Sequence, residues 1–121
     1  DLDERNIEKV KVFFNKNKIK GFVKLENILE KKDFEETDIV FLFKLLDCLD
    51  FKGHKNAEAL IKKLNTKWTV VSFSTLTLGR RNMRHPYRGW FERMLERLRL
   101  SYVKFFEENE VFYVIKNAQV L

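Results

Sequence analysis

Ile7, Val10, Phe13 and Phe14 recur at helical spacing behind an acidic capping position at Asp3, which predicts a helix over residues 3–15. Gly21 ends the turn after it, and FVKL at 22–25 predicts a short strand. IVFLF, residues 39–43, is an unbroken β-branched and aromatic run, the pattern of a parallel strand covered on both faces. Residues 44–50 read as helical, Gly53 breaks them, and Ala57, Leu60, Ile61 and Leu64 mark an amphipathic helix over 56–64. WTVVSF at 68–73 predicts a second buried strand, followed by a loop over 74–85. Pro86 suits the first turn of a helix whose apolar stripe is Tyr87, Trp90, Phe91, Met94, Leu95 and Leu98. Residues 100–106 and 111–115, joined by a polar turn at 107–109, predict an antiparallel hairpin.

Helices and strands therefore alternate up to a terminal hairpin, which argues for an α/β fold with a parallel sheet flanked by helices. With 121 residues and 45% apolar content, one domain over 1–121 is expected. No internal repeat or Pro/Gly-rich linker divides it.

Charge sharpens the picture. The formal net charge is +6, which favours an anionic partner, nucleic acid before an acidic membrane surface. Seven of the eight arginines fall between Arg80 and Arg99, opposed there only by Glu92 and Glu96. The lysines are interleaved with acids and read as ordinary solvated surface. A single cysteine, Cys48, forms no internal disulfide, and no Cys/His spacing suggests zinc, so no metal is expected and a reducing, cytoplasmic setting is. No apolar run approaches the roughly 18 residues of a membrane helix. The first residue is Asp1 rather than methionine, as in a processed or truncated piece.

Residues 25–50, LENILEKKDFEETDIVFLFKLLDCLD, with VVSFSTLTLGRR and the closing EVFYVIKN, resemble the aminoglycoside-resistance small-subunit rRNA (guanine-N7) methyltransferases and their archaeal and bacterial relatives. The most specific parts are FLFKLLDCLD and SFSTLTLGRR, and the match runs nearly the length of the chain. The resemblance implies a Rossmann-like class I methyltransferase sheet, of which this chain is the carboxyl-terminal part, ending in an antiparallel hairpin. The first strand and its Gly-rich loop are missing, since Gly21, Gly53, Gly79 and Gly89 are isolated. The front half would then lie upstream in cis or in a partner chain.

Several roles follow from the resemblance. Asp1 matches the acid that holds the ribose hydroxyls of S-adenosylmethionine, a task for which two acceptor oxygens are suited. Asn27 occupies the family's adenine-binding aspartate position, and Ile28 would lie against the adenine ring. Phe43, Lys44 and Leu45 match the motif lining the methionine end of the cofactor and the incoming base. Arg81 and Met83 match positions implied to contact the target nucleotide, while Arg80, Arg84 and Arg88 would neutralise phosphates. Gly79 would let the backbone turn beside them, and Leu76 replaces a basic residue of the family. The residues by themselves leave blander readings open: Asp1 and Asp3 as helix caps, Asn27 as a turn former, Ile28 as core and Lys44 as surface.

The resemblance implies methyl transfer to guanine N7 of small-subunit ribosomal RNA. N7 carries a lone pair at neutral pH, so attack on a sulfonium methyl needs no general base. No catalytic acid or base is expected, and catalysis would be positional. A different class stays open: a non-catalytic RNA-binding or scaffold module derived from a methyltransferase.

Overall fold

The computed structural model describes residues 1–50 and 53–117. They form two compact units, Asp1–Asp33 and Phe34–Leu121.

In the first unit, helix α1 spans Glu4–Lys16. Asp3 is its N-cap as expected, accepting from the Arg5 amide at 2.9 Å and relieving one of the helix's unpaired donors. The helix ends in a Schellman motif, with Ile19 N donating to Phe14 O at 2.9 Å and the left-handed position filled by Lys18 (φ 52°) rather than glycine. The strand expected at 22–25 does not form. Asp1 N donates to Lys24 O at 3.3 Å and Glu26 N to Asp1 O at 3.0 Å, which sets Asp1 opposite Leu25 in the pattern of one parallel rung. A single rung does not hold a segment in a ladder.

The second unit is built on a four-stranded sheet in the order β1-β2-β4-β3, where β1 is Thr37–Phe43, β2 Thr66–Ser74, β3 Ser101–Glu107 and β4 Glu110–Lys116. Strands β1 and β2 are parallel, with Phe43 opposite Ser72. The closing hairpin is antiparallel and joins the sheet through β4 against β2, with Ser74 opposite Glu110. Helix α2 (Lys55–Lys63) buries Ala57, Leu60 and Ile61, and helix α3 (Gly89–Arg97) buries Phe91, Met94 and Leu95.

One sheet face carries the core. Phe73, Phe91 and Tyr113 are fully buried and meet edge to face, with centroids 5.3–5.9 Å apart. The other face is open. Phe41 and Phe43 are 55% and 53% exposed, and Ile39, Trp68, Val103 and Phe105 are exposed beside them. The apolar run 39–43 is thus an edge strand covered on one face, and not the doubly covered strand its composition predicts. Alternation sends only Val40 and Leu42 towards the core.

Two helices are shorter than expected. Residues 44–50 contain only a 3₁₀ turn, Leu46–Cys48, because Lys44 enters it in the left-handed region (φ 51°). Helix α3 begins at Gly89, leaving Pro86 and Tyr87 outside and Tyr87 exposed rather than in the apolar stripe. The reason is local. The Arg88 amide donates to the Tyr113 hydroxyl at 3.1 Å, while the Arg88 carbonyl accepts from Phe91 and Glu92, so the first turn starts there.

Glu92 ties α3 to the hairpin, accepting from Tyr113 Oη at 2.7 Å, Tyr102 Oη at 3.2 Å and Lys104 Nζ at 3.0 Å. Burial pushes its carboxyl up, but these three donors outweigh that and hold it below its ordinary value of 4.5. A depressed carboxylate stabilises the fold above its unfolded value, and that stability is lost as pH falls through the folded value. Denaturation midpoints should therefore decline below about pH 4.5. Glu92→Gln should cost about 2 kcal/mol at pH 7 and flatten the acid decline, both measurable by urea titration.

Candidate functional site

Because β1 and β2 run parallel, their carboxyl ends reach the same edge of the sheet, and the antiparallel β4 begins there. Three chain segments meet at this edge: the turn after β1, the loop after β2 and the start of β4.

Lys44 leaves β1 with its amide donating to Ser72 O at 3.0 Å and to Ser72 Oγ at 3.2 Å. The left-handed backbone turns the side chain out of the ladder, and its ammonium is exposed 4.0 Å from Glu110 Oε2. Ser72 Oγ donates to Glu110 Oε1 at 2.8 Å, completing a Lys44–Ser72–Glu110 cluster. Phe43 presents an exposed ring edge to face with Phe112, 6.0 Å between centroids, and Leu45 is half-buried. Neither Ser72 nor Glu110 was expected at the site. A signal existed for Ser72, a hydroxyl inside an otherwise apolar strand; Glu110 looked like one more acid of the hairpin turn.

The loop after β2 is a miniature hairpin. Leu76 bridges Asn82, Met83 N donates to Thr75 O at 2.9 Å, Thr77 N to Arg81 O at 2.8 Å and Arg80 N to Thr77 O at 2.8 Å. The left-handed residue of its turn is Arg80 (φ 58°); Gly79, expected to provide the turn, is not left-handed. The loop thrusts Arg80, Arg81 and Arg84 into solvent, and among the described residues none of these guanidiniums has an acidic partner. Met83 is half-buried. Arg88 is different: its guanidinium pairs with Asp47, Nη2 to Oδ2 at 2.8 Å, and its side chain is only 13% exposed. Its donors are thus already engaged within the protein, unlike those of Arg80, Arg81 and Arg84.

In the first unit, Asp1 is exposed, its Oδ1 accepting from Asp3 N at 2.8 Å and its Oδ2 from Asn6 Nδ2 at 3.4 Å. Each oxygen keeps a lone pair for a further donor, so the carboxylate fits a ribose diol. Asn27 Oδ1 accepts from Leu29 N at 3.0 Å, the Asx turn of the blander reading, with one lone pair and the amide donors remaining. Ile28 is half-buried. These groups suit the adenosine end of a nucleoside cofactor. Among the described residues no cluster of His, Cys, Asp and Glu could hold a metal ion, and no helix is long and apolar enough to cross a membrane.

No family model matches the sequence. A 16S rRNA (guanine(1405)-N(7))-methyltransferase of Serratia marcescens is 39% identical over 70 residues, 56% of this chain and 28% of that protein. The 16S rRNA methyltransferase RmtF, solved with S-adenosyl-L-homocysteine, superposes with a TM-score of 0.80 at 28% identity, over 93% of this chain and 44% of its own. The 16S rRNA methylase RmtB gives 0.75 and 27% over 92% and 42%. The resemblance read from the residues is thus borne out, and the sheet is of the class I methyltransferase type. The chain spans less than half the length of these relatives.

A side chain in the left-handed region costs about 1 kcal/mol. Arg80→Gly should therefore raise stability by about that much, while Gly79→Ala, whose new Cβ meets only Thr77 Oγ1 at 3.8 Å, should not lower it. Thermal melts of the two variants check the assignment of the turn.

Proposed function

We propose that this chain supplies the carboxyl-terminal part of an S-adenosylmethionine-dependent methyltransferase domain that modifies guanine N7 of small-subunit ribosomal RNA. The observation that carries this reading is the class I sheet edge that presents Lys44 and three exposed arginines, which have no acidic partner among the described residues, in a chain 39% identical over 70 residues to a guanine-N7 methyltransferase. The open sheet face from Ile39 to Phe105 supports a domain completed by further polypeptide, in cis or as a partner chain. A ribosomal RNA substrate implies a cytoplasmic setting.

The bound cofactor supplies an electrophilic methyl group, and the chain's residues supply position and charge. Asp1 would accept from the ribose hydroxyls, and Asn27 and Ile28 would bound the adenine. Phe43, Lys44 and Leu45 form the floor against which the unstacked guanine is held. Arg81 and Met83 border the target nucleotide, and Arg80 and Arg84 neutralise flanking phosphates. As the N7–methyl bond forms and the sulfonium–methyl bond breaks, S-adenosylhomocysteine would leave with the electron pair, and because N7 carries no proton, no side chain would need to move one. What the protein lowers is the cost of alignment.

A second reading, an RNA-binding module without methyl transfer, is favoured by one observation: Asn27 stands where the family has an aspartate, and its oxygen already accepts from Leu29.

Titrating the full protein with S-adenosylhomocysteine separates the two. Binding heat, together with new 7-methylguanine in small subunits found by borohydride–aniline scission, is expected from the first reading. RNA affinity without binding heat would establish the second. In either case Arg80→Ala with Arg84→Ala should reduce the salt slope of log Kobs by about 2, near one unit for each phosphate no longer neutralised.

A further inference from the structure

The Arg88 guanidinium joins three segments of the site edge. Towards the turn after β1, Nε and Nη2 donate to Asp47 Oδ2 at 3.1 and 2.8 Å. Towards the end of β2, Nη2 donates to Ser74 O at 3.0 Å. Towards the return of the arginine loop, Nη1 donates to Pro86 O at 2.9 Å and approaches Met83 Sδ at 3.7 Å. The cation lies 5.1 Å from the centre of the buried Phe73 ring, and the Arg88 amide is fixed by Tyr113. A planar group held from so many sides has little freedom.

We propose that Arg88 and Asp47 form a clasp that sets the distance between the arginine loop and Lys44, making Arg88 a positioning residue for methyl transfer. Asp47 lies three residues beyond Lys44 on the same turn, and Met83 two beyond Arg81 on the same loop. A bond from Arg88 to both fixes the two reacting sides of the edge against one another. Among the described residues no other hydrogen bond or ion pair joins the loop to the turn after β1: its internal hydrogen bonds close upon itself, between Thr75 and Met83. Without the clasp the arginines would still attract phosphate, but the nucleotide would be offered in a spread of positions.

This inference rests on the methyltransferase reading for its kinetic arm and is independent of it for the other. In the full protein, Asp47→Asn removes the charge while keeping the side chain's shape. Hydrogen exchange at the Thr77, Arg80 and Met83 amides should rise about tenfold, as expected when one charge-assisted hydrogen bond is weakened, while the β2 and β4 amides stay unchanged. Methyl transfer at saturating RNA should slow by a similar factor, with KM for RNA within about twofold. Asp47→Glu should restore both, and Arg88→Lys should behave like Asp47→Asn, since an ammonium cannot reproduce the fork.

Unchanged loop exchange in Asp47→Asn would overturn the clasp, as would a uniform rise across β2 and β4, the sign of a merely stabilising role. A variant that weakens RNA binding while transferring methyl at full rate would also overturn it, by making the pair a phosphate contact. If the unmodified protein transfers no methyl group, the proposed function fails while the exchange measurements still decide whether the clasp exists.

Discussion

Strand β2 is hydrogen-bonded on both sides, parallel to β1 and antiparallel to β4. Every feature of the site edge follows from this double pairing. Parallel pairing brings the carboxyl ends of β1 and β2 to the same side, and antiparallel pairing adds the beginning of β4. Lys44, Ser72 and Glu110, from three strands, meet for that reason. Because β2 lies inside the sheet, its backbone cannot shift without breaking two ladders, so groups at its end have a rigid base. The loop beyond Ser74 lies outside that sheet and rests on its own short hairpin and on the contacts made by Arg88.

The positions of the four strands were legible in the sequence. Apolar runs at 39–43 and 68–73 and the hairpin at its polar turn all correspond to strands, and the resemblance supplied the sheet type and its antiparallel close. Exposure was not legible. A five-residue apolar strand reads the same whether a second layer covers it or not, because its composition answers to the assembled domain while accessibility answers to what is present. Phe41 and Phe43 are apolar and exposed for that reason. The missing strand at 22–25 has the same source: a strand is a property of two chains of backbone, and composition describes only one.

Turn geometry was the other illegible part. Among the described residues, Lys18, Lys44, Arg80, Arg99 and Glu108 take left-handed backbone angles without being glycine. Sequence reasoning gives such positions to glycine or asparagine. Lys18 and Arg99 close Schellman motifs, where the hydrogen bonds from Ile19 to Phe14 and from Leu100 to Leu95 offset the strain. At Lys44 and Arg80 the strained residue also carries the charge that the site presents. A glycine in either place would relax the backbone and remove an exposed cation, so backbone strain and surface charge are coupled at the same two residues.

The arginine run shows how burial divides one residue type into two jobs. By sequence, Arg80, Arg81, Arg84 and Arg88 belong to one basic cluster, and the resemblance gives Arg80, Arg84 and Arg88 alike to phosphates and Arg81 to the target nucleotide. The fold separates them through a single aspartate. Asp47 stands within reach of Arg88, Phe73 lies beneath it, and the carbonyls of Ser74 and Pro86 with the Met83 sulfur take its remaining donors. A guanidinium so engaged gains nothing from a phosphate that it does not already have. The exposed three have only water as their alternative, so a phosphate and the counterions it releases would offer each of them a gain. Partner choice thus follows from what each cation would have to give up, and that is set by three-dimensional neighbours that no count of charges along the chain contains.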